Sequence, residues 1–153
     1  MPLSRRAVLA GASALAAPSI VQAQPRVFRI GAPLPTTGGL APEGAKQQRG
    51  YDLWLQAANA SGGIDVGGHQ VKVEVVYADY QSNTPRAVQL AERLITQDGC
   101  SLLFGPQGSG ATKAASSVAE RYKVPMIAPT ASSREVFNQG SNTCSAPSPR
   151  TRR

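Results

Sequence analysis

The sequence predicts an α/β protein with a parallel sheet and helices on both of its faces. Short apolar runs typical of buried strands alternate with longer segments in which apolar residues recur every three or four positions, as in helices. The order along the chain is β-α-β-α-β-α-β, which favours parallel strands joined by right-handed crossovers. We therefore expect a doubly wound, Rossmann-like sheet with a flavodoxin-like strand order.

The first strand and the first helix come from residues 27–63. Residues 27–34 form the strand, and a loop rich in proline, threonine and glycine follows it. A helix begins at Glu43 and ends at the two glycines 62 and 63. Its predicted apolar face consists of Tyr51, Trp54, Leu55 and Ala58.

The second strand and the second helix follow a turn at residues 66–69. Alternating valines predict a strand over residues 71–77. The sequence Asn83-Thr84-Pro85 starts a helix, because Thr84 can cap it and Pro85 suits its first position. The apolar face of this helix consists of Ala87, Leu90, Ala91, Leu94 and Ile95.

Two further strands flank a third helix. Residues 101–104 predict the third strand, and a glycine-rich loop at residues 105–112 leads from it into a helix with Ser109 as N-cap. Residues 124–128 predict the fourth strand. Pro125 must lie at its start, because proline cannot donate within a central ladder.

The glycine-rich loop at residues 105–112 is a predicted anion site. The first N–H groups of a helix have no partner inside it, and the helix dipole favours negative charge there. Nucleotide motifs fail at this loop: a P-loop needs a lysine where Ala111 stands, and the dinucleotide pattern meets Lys113 where it needs glycine. A small carboxylate would need only the loop. An ordinary strand-to-helix loop capped by serine remains the alternative.

A second polar loop, residues 129–133, follows the fourth strand and carries three hydroxyl groups. Hydroxyl groups both donate and accept hydrogen bonds, so this loop could receive an ammonium group. The alternative is a turn that leads to a short helix capped by Ser132 or Ser133. Both loops, together with residues 35–43, follow the carboxyl ends of parallel strands, where ligands of such sheets bind.

The N-terminus has the pattern of an export signal. Arg5 and Arg6 precede a short apolar run, and the small residues before position 24 suit cleavage after Ala23. The paired arginines indicate the twin-arginine route. The apolar run is too short to span a bilayer, so we expect a periplasmic protein without stable membrane insertion after cleavage.

Charge and reactive side chains exclude several classes of function. Five arginines near the two ends account for most of the formal charge of +7, so no basic stripe indicates a nucleic-acid partner. Cys100 and Cys144 have no metal-ligand spacing, and we do not expect them to form a disulfide. His69, the single histidine, lies in a glycine-rich turn. We therefore predict no metal, no cofactor and no catalytic residue.

Several motifs, in this order and spacing, resemble one family. They are Gly31-Ala32-Pro33-Leu34 with Thr37-Gly38, Asn59 to Ile64, Asp79 to Ala87, Gly105 to Thr112, and Ile127 to Ser132. From Val27 to about Gly140 the chain resembles the periplasmic substrate-binding proteins of branched-chain amino acid ABC transporters, the Leu/Ile/Val-binding proteins. The resemblance implies the first lobe of a type I periplasmic binding protein, a small-molecule ligand such as an amino acid, and a membrane permease as partner.

The resemblance also implies site residues. Ser109 matches the serine that binds the ligand carboxylate. Ser132 matches a hydroxyl residue that contacts both charged groups of the ligand, and Thr130 matches the residue whose carbonyl accepts from the ammonium. Glu43 stands where better-known members have an aromatic residue, and this departure leaves the ligand's identity open.

The sequence predicts three segments and leaves two functional classes open. We expect a twin-arginine-like signal peptide at residues 1–23, the first lobe at residues 24–140, and a disordered or aberrant tail at residues 141–153, because the tail has no large apolar residue. The composition change at 140 suggests a truncated or frameshifted product. The leading function is solute binding without catalysis, and the alternative is an exported flavodoxin-like enzyme or nucleotide-binding domain.

The export pattern makes a direct prediction. Mature protein recovered from the periplasm should begin at Gln24. N-terminal sequencing checks this, and periplasmic material that retains residues 1–23 would contradict it.

Overall fold

The computed structural model describes residues 27–137 and 143–145. The strands are β1 (Val27–Leu34), β2 (Ile64–Val66), β3 (His69–Asp79), β4 (Leu102–Phe104), β5 (Met126–Ile127) and β6 (Cys144–Ser145). The helices are α1 (Ala41–Ala60), α2 (Thr84–Thr96) and α3 (Ser109–Tyr122), followed by one 3₁₀ turn at Arg134–Val136. In this part of the chain no helix is both long and apolar enough to cross a membrane.

All six strands belong to one sheet, in the order β2-β3-β1-β4-β5-β6. Every pair is parallel except the β2–β3 hairpin. The chain passes from β1 to β3 on one side and then crosses to β4 on the other side of β1. The strand order therefore reverses between β1 and β4, and crevices for ligands form at such a reversal. The predicted α/β fold with a doubly wound, mostly parallel sheet is confirmed.

The two faces of the sheet are covered differently. On one face, α2 and α3 pack with the sheet into a single core cluster. Its buried members are Ala91, Leu94, Cys100, Leu103, Ala115, Val118, Ala119 and Met126. On the other face lies α1, where Tyr51 stacks on Phe104 at 4.2 Å between ring centroids and Trp54 meets the same ring edge-on at 6.0 Å.

The predicted elements recur with small corrections. β1 has the expected bounds, and Pro125 lies just before β5. Helix α1 begins at Ala41, two residues before the predicted start at Glu43. Helix α2 is capped by Asn83, whose Oδ1 accepts from Arg86 N, and the prediction of Thr84 as cap is wrong by one position. The short strand β2 was missed, because its three residues read as the approach to a glycine turn.

The prediction for the tail also needs a correction. Cys144 and Ser145 form β6 and pair in parallel with β5, so part of the segment expected to be disordered extends the sheet. Met126 N donates to Thr143 O at 2.7 Å, and the Thr143 hydroxyl donates to Glu120 Oε2 at 2.6 Å. Small polar residues can therefore form an edge strand here, because backbone groups and one carboxylate hold them. The rest of the predicted tail, and the predicted signal peptide, lie outside the described residues. Cys100 and Cys144 are free cysteines.

The contact between β1 and the core makes a testable prediction. A Cβ at Gly31 would lie 2.7 Å from Leu103 Cδ2 and 3.0 Å from Leu94 Cβ, in the fully buried cluster. Gly31→Ala should therefore lower the free energy of unfolding by about 1–3 kcal/mol through overpacking. Urea unfolding measures this.

Gly50→Ala in α1 is the matched control for that substitution. A Cβ at Gly50 meets nothing within 4 Å, and alanine favours a helix interior over glycine. This variant should be as stable as the wild type or slightly more stable. Equal effects of the two substitutions would contradict the close packing at Gly31.

Candidate functional site

Three loops lie side by side along one edge of the sheet. They are residues 35–40 after β1, residues 105–108 after β4 and residues 128–133 after β5. Because β1, β4 and β5 are neighbours and parallel, their carboxyl ends meet at this edge. The reversal of strand order falls between the first two loops, so the predicted ligand edge and the crevice of the fold coincide.

The carbonyl groups of residues 105–108 all accept hydrogen bonds from inside the fold. The four pairs are Gln47 Nε2 to Gly105 O (3.4 Å), Thr112 Oγ1 to Pro106 O (2.8 Å), Tyr80 Oη to Gln107 O (2.9 Å) and Thr112 N to Gly108 O (3.1 Å). The donors come from α1, from α3 and from the residue that follows β3. Three separate parts of the fold therefore determine the conformation of this one loop.

The backbone N–H groups of the same region differ from these carbonyls in their hydrogen bonding. Among the described residues, the backbone amides of residues 107–111 donate to no acceptor. They follow one another through the first turn of α3, where the helix dipole adds partial positive charge. Gly108 has φ of +86°, a conformation that glycine adopts without strain. A run of free amides at a helix N-terminus is suited to bind an anion.

Ser109 lies within this run, but it is not the N-cap. The cap position is Gly108, and no side chain caps the helix. The prediction was wrong by one residue, because the left-handed turn at Gly108 lets the helix begin at Ser109. Instead, Ser109 Oγ accepts from Ser133 N at 3.2 Å. This bond joins the loop after β4 to the loop after β5, and the hydroxyl proton of Ser109 donates to no described acceptor.

The other predicted site residues are distributed between the two neighbouring loops. The Thr130 hydroxyl is 3.5 Å from Pro106 O, which places its loop against the glycine-rich loop. Ser132 is exposed beside it, and Ser133 caps the following 3₁₀ turn by accepting from Glu135 N at 3.3 Å. The predicted short helix after this loop, capped by serine, is therefore present. The same loop also lies close to the glycine-rich loop. Glu43 is exposed in the first turn of α1 and has no hydrogen bond or ion pair with the described residues.

Asp79, at the end of β3, organises this edge and was not identified from the sequence. Its carboxylate accepts from Thr36 N (3.0 Å), Gln81 N (2.8 Å) and the Thr37 hydroxyl (2.7 Å). Ser82 adds a second tie, since its Oγ donates to Thr37 O and accepts from Leu40 N, both at 3.0 Å. These bonds fasten the loop after β1 to the connection between β3 and α2. Apart from the local bond from Gln81 N, they span more than 40 residues, so no local pattern reveals them.

These contacts and the burial of the side chains shift the pKa values of Asp79 and Tyr80. Burial alone would raise the pKa of Asp79, but the hydrogen bonds from Thr37, Gln81 and Thr36 outweigh it and lower the pKa to about 2. Burial, with the nearby charge of Asp79, raises the pKa of Tyr80 to about 12. Tyr80 therefore remains a hydrogen-bond donor throughout the physiological range. Within the described ranges, no group of three His, Cys, Asp or Glu residues could hold a metal ion.

Comparison with known proteins identifies the family of this fold. Residues 27–151 match the family described as periplasmic binding protein, and the match continues past residue 140 into the stretch expected to depart from it. The Leu/Ile/Val-binding protein homolog 7 of Brucella suis biovar 1 (strain 1330) is 31% identical over 138 residues. The aligned region covers 90% of this chain and 31% of that protein. The chain therefore spans about a third of the length of this curated relative.

Solved structures give the same result. The branched-chain amino acid transporter substrate-binding protein LivJ of Streptococcus pneumoniae, in complex with isoleucine, superimposes with a TM-score of 0.72 at 35% identity, over 79% of this chain and 33% of that one. A solute-binding protein of an ABC transporter from Rhodopseudomonas palustris BisB5, in complex with 3,4-dihydroxybenzoic acid, gives 0.68 at 27% identity, over 78% and 31%.

The bonds at Asp79 make a prediction about pH. Asp79→Asn should lower the free energy of unfolding by about 1 kcal/mol at pH 7, because bonds to a charged acceptor contribute roughly 1.5–3 kcal/mol and solvent exposure reduces this. The folded pKa, about 2, is below the ordinary 3.8, so the carboxylate stabilises fully above about pH 5. That contribution is lost as the pH falls from 3.8 through 2.

Urea unfolding at several pH values checks the prediction. The stability difference between wild type and Asp79→Asn should shrink as the pH falls from 5 towards 2. Asp65→Asn is the control, because among the described residues the Asp65 carboxylate accepts only from Gly68 N, at 3.1 Å, and it should matter less. A difference that is independent of pH would contradict the proposed role of the charge.

Proposed function

The chain belongs to the periplasmic binding protein family, and from that premise we propose that it binds the carboxylate of a small solute for an ABC transporter. The ligand that we favour is a branched-chain amino acid. In this proposal the protein acts in the periplasm after export, delivers its ligand to a membrane permease, and performs no catalysis.

One observation carries the proposal: five consecutive amides, at residues 107–111, have no described acceptor. A carboxylate can accept several hydrogen bonds at once, and such bonds are stronger than those between neutral groups. The hydroxyl proton of Ser109 adds one further donor in the same turn. A phosphate ligand fits less well, because Ala111 stands where a phosphate loop has its lysine.

The rest of an amino acid ligand would meet the loop after β5. We propose that the carbonyl of Thr130 and the hydroxyl of Ser132 receive the ammonium group, since both can accept a hydrogen bond. Glu43, exposed at the start of α1, adds a negative charge at the same edge of the sheet. The anionic and cationic ends of the ligand would thus be recognised by different loops.

A second class of ligand, aromatic acids, is favoured by one comparison. The similar protein from Rhodopseudomonas palustris is in complex with 3,4-dihydroxybenzoic acid, and the one from Streptococcus pneumoniae is in complex with isoleucine. Both ligands carry a carboxylate, but only isoleucine carries an ammonium group. The carboxylate site is therefore the common element of the proposal, and the acceptors on the loop after β5 would decide between the two classes.

The proposal is tested by titrating the ¹⁵N-labelled 153-residue chain by NMR. L-Isoleucine and acetate should shift the amide signals of residues 107–111, whereas isoleucinol, which lacks the carboxylate, should not. The described loops form one open side of a site where water competes, so the dissociation constant for isoleucine should be roughly millimolar, about 4 kcal/mol of binding free energy. The same titration with 3,4-dihydroxybenzoate tests whether the ligand class is aromatic acids instead of amino acids.

A pair of serine variants gives the control. Ser109→Ala should weaken isoleucine binding several-fold, while Ser117→Ala, which removes an exposed hydroxyl of the same helix bonded to Ala114 O, should not. Signals at residues 107–111 that do not respond to isoleucine, acetate or 3,4-dihydroxybenzoate would refute the proposed site.

A further inference from the structure

We propose that Thr112 and Tyr80, two buried residues that do not line the site, are the positioning residues that orient its amides. The inference rests on the proposed function and extends it, because it states which side chains make the loop able to bind a carboxylate. Both residues act through the backbone of residues 106–108.

The geometry of the peptide bond relates the direction of each carbonyl to that of the amide that follows it. Each peptide unit is planar and trans, so the C=O of one residue points opposite to the N–H of the next. A carbonyl that is held inward therefore directs the following amide outward. Thr112 Oγ1 holds Pro106 O and so sets the amide of Gln107, and Tyr80 Oη holds Gln107 O and so sets the amide of Gly108.

The surroundings of Thr112 restrict the hydrogen bonds that its hydroxyl can make. Its side chain is fully buried, and its Oγ1 lies 2.8 Å from both Pro106 O and Gly108 O. A hydroxyl has one proton, and Gly108 O already accepts from Thr112 N. The carbonyl that depends on the hydroxyl is therefore Pro106 O, whose other neighbour, the Thr130 hydroxyl, is 3.5 Å away.

Tyr80 is equally constrained, with 1% of its surface exposed. It follows Asp79 directly, and its own N–H donates to Leu34 O at the end of β1. The ring thus reaches from the connection between β3 and α2 across to Gln107. Without the hydroxyl, the part-buried carbonyl of Gln107 would lose its partner, and the peptide would gain by rotating towards solvent.

Thr112 permits a test that separates hydrogen bonding from packing. Thr112→Val keeps the shape and removes the hydroxyl, whereas Thr112→Ser keeps the hydroxyl and removes a buried methyl group. With acetate and L-isoleucine as probes, Thr112→Val should weaken binding about tenfold and reduce the response of the Gln107 amide. Thr112→Ser should bind within about twofold of wild type, even if it unfolds more easily.

Tyr80 gives an independent test with its own control. Tyr80→Phe should weaken binding of both probes several-fold and alter mainly the Gly108 amide. Tyr77→Phe, which removes a tyrosine hydroxyl bonded to Asp52 Oδ1 at 2.6 Å elsewhere in the fold, should leave binding unchanged. If Thr112→Val does not fold, this pair decides the question.

The outcomes are distinguishable. Wild type that binds while Thr112→Val and Tyr80→Phe bind equally well overturns the positioning role and leaves the proposed function intact. Weaker binding by Thr112→Ser than by Thr112→Val also overturns it, because packing would then be the cause. Wild type whose signals at residues 107–111 respond to none of acetate, L-isoleucine and 3,4-dihydroxybenzoate overturns the proposed function and this inference together.

Discussion

The hydrogen bonds that take up the carbonyls of residues 105–108 are the constraint on which the rest of the edge depends. A loop between a strand and a helix normally leaves such groups to water. Here the interior supplies a donor for each of them, from α1, from α3 and from the residue after β3. The packing of these elements thereby fixes the orientation of a few peptide planes. The proposed binding of a carboxylate depends on that orientation.

A second set of bonds, centred on Asp79, connects the two sides of the crevice. The loop after β1 is fastened to the end of β3 by Asp79 and Ser82, and Tyr80, which lies between them in the chain, bonds the loop after β4. One four-residue segment therefore contacts both loops that flank the reversal of strand order. The covalent order Asp79-Tyr80 makes the positions of these two loops interdependent.

The sequence was sufficient for the architecture, whereas the anion site stays a prediction, and the contacts that shape the candidate site could not be predicted. Alternation of apolar patterns predicted the strands and helices, and the glycines after β4 predicted an anion site near Ser109. The caps were wrong by one residue at Asn83 and Gly108, because several adjacent residues can serve as caps. The roles of Asp79, Tyr80 and Thr112 were missed because most of their partners are backbone groups, which have no signature in the sequence. Strand β6 was missed because edge pairing requires no apolar residue.

The contact of Trp54 with Phe104 has an optical consequence. Trp54 is the only tryptophan in the chain, it is partly exposed, and the ring that it meets belongs to the last residue of β4, directly before Gly105. The indole emission of this protein thus originates at a single position, in contact with a ring that lies two residues before Pro106. Its wavelength and quenching report on the strand end that carries the glycine-rich loop, so the native molecule contains its own fluorescent probe of that region.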